Sequence, residues 1–283
     1  MVLATSFTVI VPGGILTLLI IKSVQFFKTV PIAEFLFGTN WAPRDDIIEG
    51  HFGILPVLMG SISTAMVAII TTVIIGAAIG CYLAEYTTKK QHYMLRVILD
   101  MFSGIPSIVY AFFVAVTCTP YFVLLANNPS SLLHFDPESV LVIGFFIGLL
   151  TVPFFAALVD DALRSVPKKV YDSALSLGAT RTEVMIGVII PSASKQLVSS
   201  FLFALSRCLG ETVIAMIAGS IISRATFNPL ISNSTATAQI VTLATADSDF
   251  ASPRALATFA LALFLFSFTF IINTIGGYIE HKK

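Results

Sequence analysis

Charged residues are scarce in this sequence, and their scarcity excludes an ordinary soluble domain. Only 11% of the 283 residues are Asp, Glu, Lys or Arg, against roughly 25% in soluble proteins. Hydrophobic residues make up 56% of the chain, and its mean hydropathy is +0.92. The 16 basic and 16 acidic residues cancel, so the net charge indicates no nucleic-acid partner. We therefore expect an integral membrane protein whose main surroundings are the lipid bilayer.

Cysteine is also rare, and no residue pattern typical of an enzyme is present. Cys81, Cys118 and Cys208 lie far apart, and the four histidines fall in loops or tails without the spacing of metal ligands. No Gly-x-x-x-x-Gly-Lys-Ser/Thr motif occurs, so this chain is not expected to hydrolyse ATP. The sequence predicts no metal, no cofactor and no catalytic residues.

A cleaved signal peptide is not expected either. The first apolar run has no basic residues before it and no small-residue cleavage site after it, and it is too long for a signal-peptide core. The missing basic residues raise the expectation that the natural chain begins earlier than Met1.

Six apolar runs are long enough to cross a hydrocarbon core. They cover residues 3–26, 55–84, 97–125, 139–158, 193–222 and 255–278. We predict an all-α integral membrane protein of about six transmembrane helices. Residues 1–54 are expected to form the first transmembrane helix and an outer loop, and residues 55–283 a core of five helices. Gly76 and Gly80 in the second run form a small-residue face, which we interpret as intramolecular packing.

The basic residues outside the runs predict the orientation of the chain. The loops after the first, third and fifth runs contain four Lys or Arg, whereas the other loops and the C-terminal tail, counted with Lys195 at the start of the fifth run, contain ten. Because the loops richer in Lys and Arg stay in the cytoplasm, both chain termini are predicted to be cytoplasmic.

Residues 159–191, between the fourth and fifth runs, form the only long polar segment that does not resemble a loop. Apolar residues recur in it at helical spacing on both sides of Gly178. Thr180 and Glu183 have the spacing of a capping box, which begins a new helix. The segment therefore predicts two short helices hinged at a glycine, with a face that docks a partner.

Two charged residues, Arg207 and Glu211, lie inside the fifth apolar run. At a spacing of four they share a helix face, together with Ser200, and can pair. Charged residues at mid-membrane are costly and mark functional sites by default. An internal salt bridge is one interpretation; the other is a fixed positive site for an anion, since the planar guanidinium offers paired donors to oxyanions.

A proline interrupts the third run, within Gly104-Ile-Pro106-Ser107. A proline inside a span frees a backbone carbonyl and bends the helix. Two interpretations stay open for Pro106 and Ser107: a kink for packing, or the lining of a pathway.

The segment from Asp172 resembles the cytoplasmic signature of binding-protein-dependent ABC permeases. That signature reads Glu-Ala-Ala, three residues, Gly, nine residues and Ile-x-Leu-Pro. Here it is Asp172-Ser173-Ala174, then Gly178, then Val188-Ile189-Ile190-Pro191, with complete spacing and conservative departures. The resemblance implies that this segment is a coupling helix that docks into an ATPase. The residues so implicated are Asp172, Ser173, Ala174, Leu177, Gly178 and Ala179.

Other segments are similar to the permeases of high-affinity phosphate importers, of the PstC type. Residues 104–110 read Gly-Ile-Pro-Ser-Ile-Val-Tyr, and residues 207–212 read Arg-Cys-Leu-Gly-Glu-Thr, with Cys208 where the family usually has Ala. The PstC type is favoured by Phe-Gly-Ile-Leu-Pro at 52–56, by Thr-Ala-Gln-Ile at 237–240, and by Asn273 late in the last run.

This resemblance implies a multi-pass subunit of a prokaryotic inner membrane. Its expected partners are a second phosphate permease subunit in a heterodimer, a dimer of ATP-binding subunits in the cytoplasm, and an extracytoplasmic phosphate-binding protein. We expect Arg207 to attract the anion and Glu211 to hold the guanidinium. The pathway is also expected to include Ser200, Pro106 and Ser107. Two alternatives stay open: an importer of molybdate, sulfate or thiosulfate, and a membrane sensor or scaffold that moves no solute.

Overall fold

Within the residues that the computed structural model describes, six helices are long and apolar enough to cross a membrane, which confirms the predicted fold class. The structure describes residues 2–126, 135–246 and 249–281, without the side chains of residues 2–7, 9 and 281. Lys282 and Lys283, counted above for the orientation, lie outside that part. The candidate spans are Ile10–Phe27, Leu55–Tyr86, Ser107–Ala126, Val140–Arg164, Ser194–Ile217 and Pro253–Glu280.

The described elements run in the following order. The first half contains α1 (Val2–Phe27), α2 (Ile32–Phe37), β1 (Trp41–Ala42), β2 (His51–Phe52), α3 (Leu55–Tyr86), α4 (Lys89–Ser103), α5 (Ser107–Phe113), a π-helical stretch (Val114–Cys118) and α6 (Thr119–Ala126). The second half contains α7 (Val140–Arg164), α8 (Lys168–Ser176), α9 (Arg181–Val184), a second π-helical stretch (Met185–Ile189), α10 (Ile190–Ser192), α11 (Ser194–Gly210), α12 (Val213–Ile217), α13 (Ala236–Ala246) and α14 (Pro253–His281).

Glycines bring α3 and α7 close together at the centre of the fold. A Cβ atom at Gly80 would lie 2.6 Å from Cβ of Val159 on α7. Conversely, a Cβ atom at Gly148 of α7 would lie 2.6 Å from the carbonyl oxygen of Ala68 on α3. Small residues permit such close backbone approach within a membrane. The predicted intramolecular role of the glycine face in the second run is confirmed.

The third apolar run is not one helix, and its predicted start at residue 97 is wrong. Residues 89–103 form the separate helix α4, which ends before Gly104, and the third candidate span begins at Ser107. Thr88 begins α4 with a complete capping box: its side chain accepts from the backbone N–H of Gln91, and Gln91 bonds back to the N–H of Thr88. This Thr-x-x-Gln signal lies between two apolar runs, where the hydropathy pattern alone predicts a loop.

The fifth run is also divided, because α11 ends at Gly210 and the chain is extended at Glu211 (φ −67°, ψ 122°). Helix α12 follows as a short element, and residues 218–235 have no long helix. The single helix predicted through residue 222 is therefore wrong beyond Gly210.

The segment between α1 and α3 is folded rather than an open loop. Strands β1 and β2 pair antiparallel, with Trp41 opposite Phe52. Phe26, Phe35 and Phe52 are almost fully buried in one cluster, and the rings of Phe35 and Phe52 each meet Phe26 edge-to-face at 5.5 Å. The indole N–H of Trp41 donates to the side-chain oxygen of Gln239 on α13 at 3.1 Å. This hydrogen bond fixes the hairpin to α13.

The α3–α7 contact predicts that Gly80→Ala destabilises the fold. The new methyl group would overlap Val159, and overpacking of this kind costs about 1–3 kcal/mol. The measurement is the thermal unfolding midpoint of the purified protein in detergent, and the midpoint should fall. Gly277→Ala is the matched control, because nothing lies within 4 Å of a Cβ atom there. Equal midpoints for the two variants would contradict the packing role of Gly80.

Candidate functional site

Arg207 lies in the last turn of α11, near the middle of the fifth span, and is exposed on the surface of the chain. Its guanidinium carbon lies 5.1 Å from the centre of the Phe154 ring on α7. A guanidinium over an aromatic face is held by the ring quadrupole while its N–H donors stay available. In the part of the chain that the structure describes, no carboxylate lies within salt-bridge distance of Arg207.

Glu211 does not pair with Arg207, so that part of the sequence-based interpretation is wrong. Its side-chain oxygen accepts from the backbone N–H groups of Val213 and Ile214, at 3.1 and 3.4 Å. Its carbonyl oxygen accepts from the hydroxyl of Thr237 on α13 at 2.8 Å. The physical reason is the end of α11 at Gly210, since two residues share a helix face only while the helix continues. Glu211 instead accepts hydrogen bonds from backbone N–H groups at the start of α12, which have no partner within that helix.

The other predicted pathway residues have separate environments. Ser200 is buried, and its hydroxyl donates to the carbonyl of Gln196 within α11. Pro106 precedes α5 with an extended backbone, and Ser107 is the first residue of that helix. Helix α5 packs against α12, which directly follows Glu211. The break at Pro106 and the break at Glu211 thus belong to neighbouring helices.

The segment between α7 and α11 forms short helices, as its periodicity predicted. Asp172 and Ser173 are exposed on α8, whereas Ala174 is half-buried against a core that includes Val184 and Met185. Leu177, the residue after α8, is 90% exposed.

Gly178 has a backbone conformation that favours glycine, with φ of +88°. A residue with a Cβ atom is strained at such an angle, and Ala179 follows half-buried in the turn. The predicted capping box is confirmed, because the Thr180 side chain accepts from the N–H of Glu183 and the Glu183 carboxylate accepts from the N–H of Thr180. This backbone hydrogen bond holds the pKa of Glu183 below its usual value. The cap is therefore formed at neutral pH and is lost only in acid.

The last turn of α3 holds the two short helices in place. The Tyr171 hydroxyl of α8 donates to the carboxylate of Glu85, and the hydroxyl groups of Tyr86 and Thr182 are 2.9 Å apart. Burial, followed by the hydrogen bond to Glu85, raises the pKa of Tyr171 to about 12. Tyr171 therefore remains a neutral donor throughout the physiological range.

Sequence reasoning missed a charged cluster around Asp160, near the end of α7. Arg164, one turn later, donates from Nε to the Asp160 carboxylate at 2.8 Å, and this spacing of four was visible in the sequence. His92 and Arg96 of α4 reach the same carboxylate, and nothing in the sequence signalled that contact. Among the described residues, no group of three or more His, Cys, Asp or Glu could hold a metal ion.

Comparison with known proteins assigns the family. Residues 76–283 match the model of the family described as binding-protein-dependent transport system inner membrane component. The chain belongs to this family. It is a transporter membrane subunit rather than an enzyme, and a multi-pass protein of the inner membrane.

Several curated relatives of this permease are named phosphate transport system permease protein PstC. The one from Mesorhizobium japonicum is 27% identical over 282 residues, covering 94% of this chain and 83% of that protein. The Haemophilus influenzae relative is 30% identical, covering 71% of this chain and 66% of that protein. A relative from Mycobacterium bovis, PstC 1, is 27% identical and covers 74% and 69%.

The fold is also that of a solved transporter chain. A chain from the inward-facing MetNI methionine ABC transporter aligns with a TM-score of 0.61, covering 80% of this permease and 94% of that chain. At 15% identity this likeness concerns the fold alone.

The backbone at Gly178 predicts that Gly178→Val weakens the link between α8 and α9. A β-branched residue at this φ is strained by about 1–2 kcal/mol, so the turn should reorganise although there is open space around it. The measurement is ATP-driven transport per ATP hydrolysed in the reconstituted complex, which should fall. Gly178→Asn is the control, because Asn tolerates positive φ and should behave almost as the original chain. Normal coupling in the Val variant would remove the hinge role of Gly178.

Proposed function

We propose that this permease is a membrane subunit of an ATP-driven importer of inorganic phosphate. The observation that carries the proposal is Arg207, a permanent positive charge near mid-span, exposed on the chain and lying over Phe154. The relatives named PstC support phosphate as the cargo. In this assignment residues 1–54 are a first transmembrane helix and outer loop, and residues 55–283 are the permease core.

Arg207 supplies an attractive but incomplete anion site. Its planar fork can offer two parallel hydrogen bonds to a phosphate oxygen pair, and the guanidinium is positively charged. Since no carboxylate within the described residues neutralises it, a passing anion is the complementary charge. The ring of Phe154 orients the guanidinium without competing for its donors. Such a site favours entry of the anion and still allows it to leave.

In this proposal, α8 contacts the ATP-binding subunit, and the movement driven by ATP hydrolysis reaches the permease through that contact. Exposed Leu177, with Asp172 and Ser173, forms a surface that suits a groove on an ATP-binding subunit. The tyrosine contacts to Glu85 and Thr182 join this surface to the end of α3. The proposed assembly contains a dimer of ATP-binding subunits in the cytoplasm, a second and homologous permease subunit, and an extracytoplasmic phosphate-binding protein. Both termini of this chain are cytoplasmic in it, as the distribution of basic residues favours.

The proposal predicts that Arg207→Gln lowers phosphate uptake by about 10- to 100-fold, because hydrogen bonds to charged groups contribute about 1.5–3 kcal/mol. Uptake is measured with labelled phosphate in vesicles that contain the assembled complex. Arg207→Lys keeps the charge without the fork, so its uptake should be intermediate. The control is Arg44→Gln, which removes an exposed surface pair with Glu49 and should leave uptake unchanged.

The same vesicles distinguish the alternatives. Inhibition of uptake by unlabelled phosphate, and not by sulfate, molybdate or thiosulfate, supports the assignment of the cargo. Unchanged uptake in an assembled Arg207→Gln complex would refute the role of Arg207. A complex that docks its ATPase and moves none of these anions would instead be a sensor or scaffold.

A further inference from the structure

Three basic side chains from two helices converge on one buried carboxylate, that of Asp160 on α7. Its side chain has no exposed surface. One oxygen accepts from Arg164 Nε at 2.8 Å. The other oxygen lies 2.7 Å from His92 Nε2 and accepts from Arg96 Nη1 at 3.1 Å. Both carboxylate oxygens are therefore satisfied by charged or ring donors, which is the condition under which a buried charge is tolerated.

The neighbouring Asp161 completes the pairing of Arg96 on the solvent side. Its two oxygens accept from Nη1 and Nη2 of Arg96 at 3.1 and 3.0 Å, a forked geometry, and its side chain is 62% exposed. These hydrogen bonds, with the nearby charges of Asp161, Asp160 and Asp100, raise the pKa of Arg96 above its usual value. Arg96 thus bridges a buried and an exposed carboxylate on consecutive residues of α7.

The cluster attaches α4 to α7 through hydrogen bonds. No residue of α4 is buried, so apolar packing alone does not hold this helix. The half-buried face of α4 carries His92 and Arg96 beside Leu95 and Leu99, and Arg96 also donates to the carbonyl of Ala157 on α7 at 3.2 Å. The directed hydrogen bonds define the orientation of α4 on α7.

The same cluster adjoins the start of α8. Arg164 donates through Nη2 to the carbonyl of Leu83 near the end of α3, at 2.7 Å. Pro167, three residues later, precedes the first residue of α8. The ends of α3, α4 and α7 are therefore joined beside the segment that receives the force in the proposed mechanism.

We infer that Asp160 is a positioning residue for energy coupling, which joins α3, α4 and α7 into one support for α8. Displacement of α8 then moves α4 with α7, and the break at Gly104–Pro106 passes that movement to α5. The inference rests on the proposed coupling role of α8, and it assigns to Asp160 no contact with the transported anion.

The decisive variant is Asp160→Asn, which keeps the volume and removes the charge. In the reconstituted complex we expect phosphate imported per ATP hydrolysed to fall by about 10-fold, with assembly retained. Amide hydrogen exchange should rise in residues 89–103 and remain unchanged in α11. Lys90→Gln is the control, because Lys90 is an exposed residue of α4 outside the cluster, and its transport per ATP should stay within about 2-fold of the original.

Two outcomes would overturn the inference. One is normal transport per ATP in an assembled Asp160→Asn complex. The other is lost coupling together with faster exchange throughout the chain, α11 included, which would indicate a general structural role. If the Asn variant does not assemble, Arg96→Lys takes its place, because one ammonium cannot bridge both carboxylates, and unchanged coupling and exchange there refute the inference. The exchange measurement does not depend on the cargo. If the original complex imports no phosphate, while Asp160→Asn still raises exchange in α4, the result counts against the proposed substrate alone.

Discussion

The close approach of α3 and α7 is the constraint on which the rest of the structure depends. Glycine at Gly80 and Gly148 lets each helix backbone lie against the other, and in a membrane such van der Waals contact replaces the hydrophobic driving force. Helix α7 then carries two features in sequence: Phe154, which lies under the Arg207 guanidinium, and Asp160, which gathers the cluster at its end. The position of the arginine and that of α8 are thus defined relative to one helix.

Features determined by neighbouring residues could be predicted from the sequence. The six spans follow from length and apolar composition, and the cap at Thr180 and Glu183 needs only four consecutive residues to form. Gly178 was recognisable as a break because it separates two helical periods, and its positive φ agrees. These features require no knowledge of which helices meet.

Features determined by distant residues could not be predicted in this way. The pairing of Arg207 with Glu211 assumed a continuous helix, but the chain leaves the helix after Gly210 and Thr237 binds the carbonyl of Glu211. The partners of Asp160 on α4 lie 64 and 68 positions away. Such contacts follow from the packing of α4 against α7, which no single segment of sequence specifies.

The contact between Trp41 and Gln239 has a mechanical consequence. Gln239 and Thr237 are two residues apart at the start of α13; one receives the indole N–H of the hairpin, and the other holds the carbonyl of Glu211. Gln239 also donates to Ser234 and to the carbonyl of Ile221, so this part of α13 is braced on several sides. A short run of hydrogen bonds therefore connects the hairpin to the residue that ends the arginine-bearing helix α11. The hairpin and that helix end are attached to the same turn of α13.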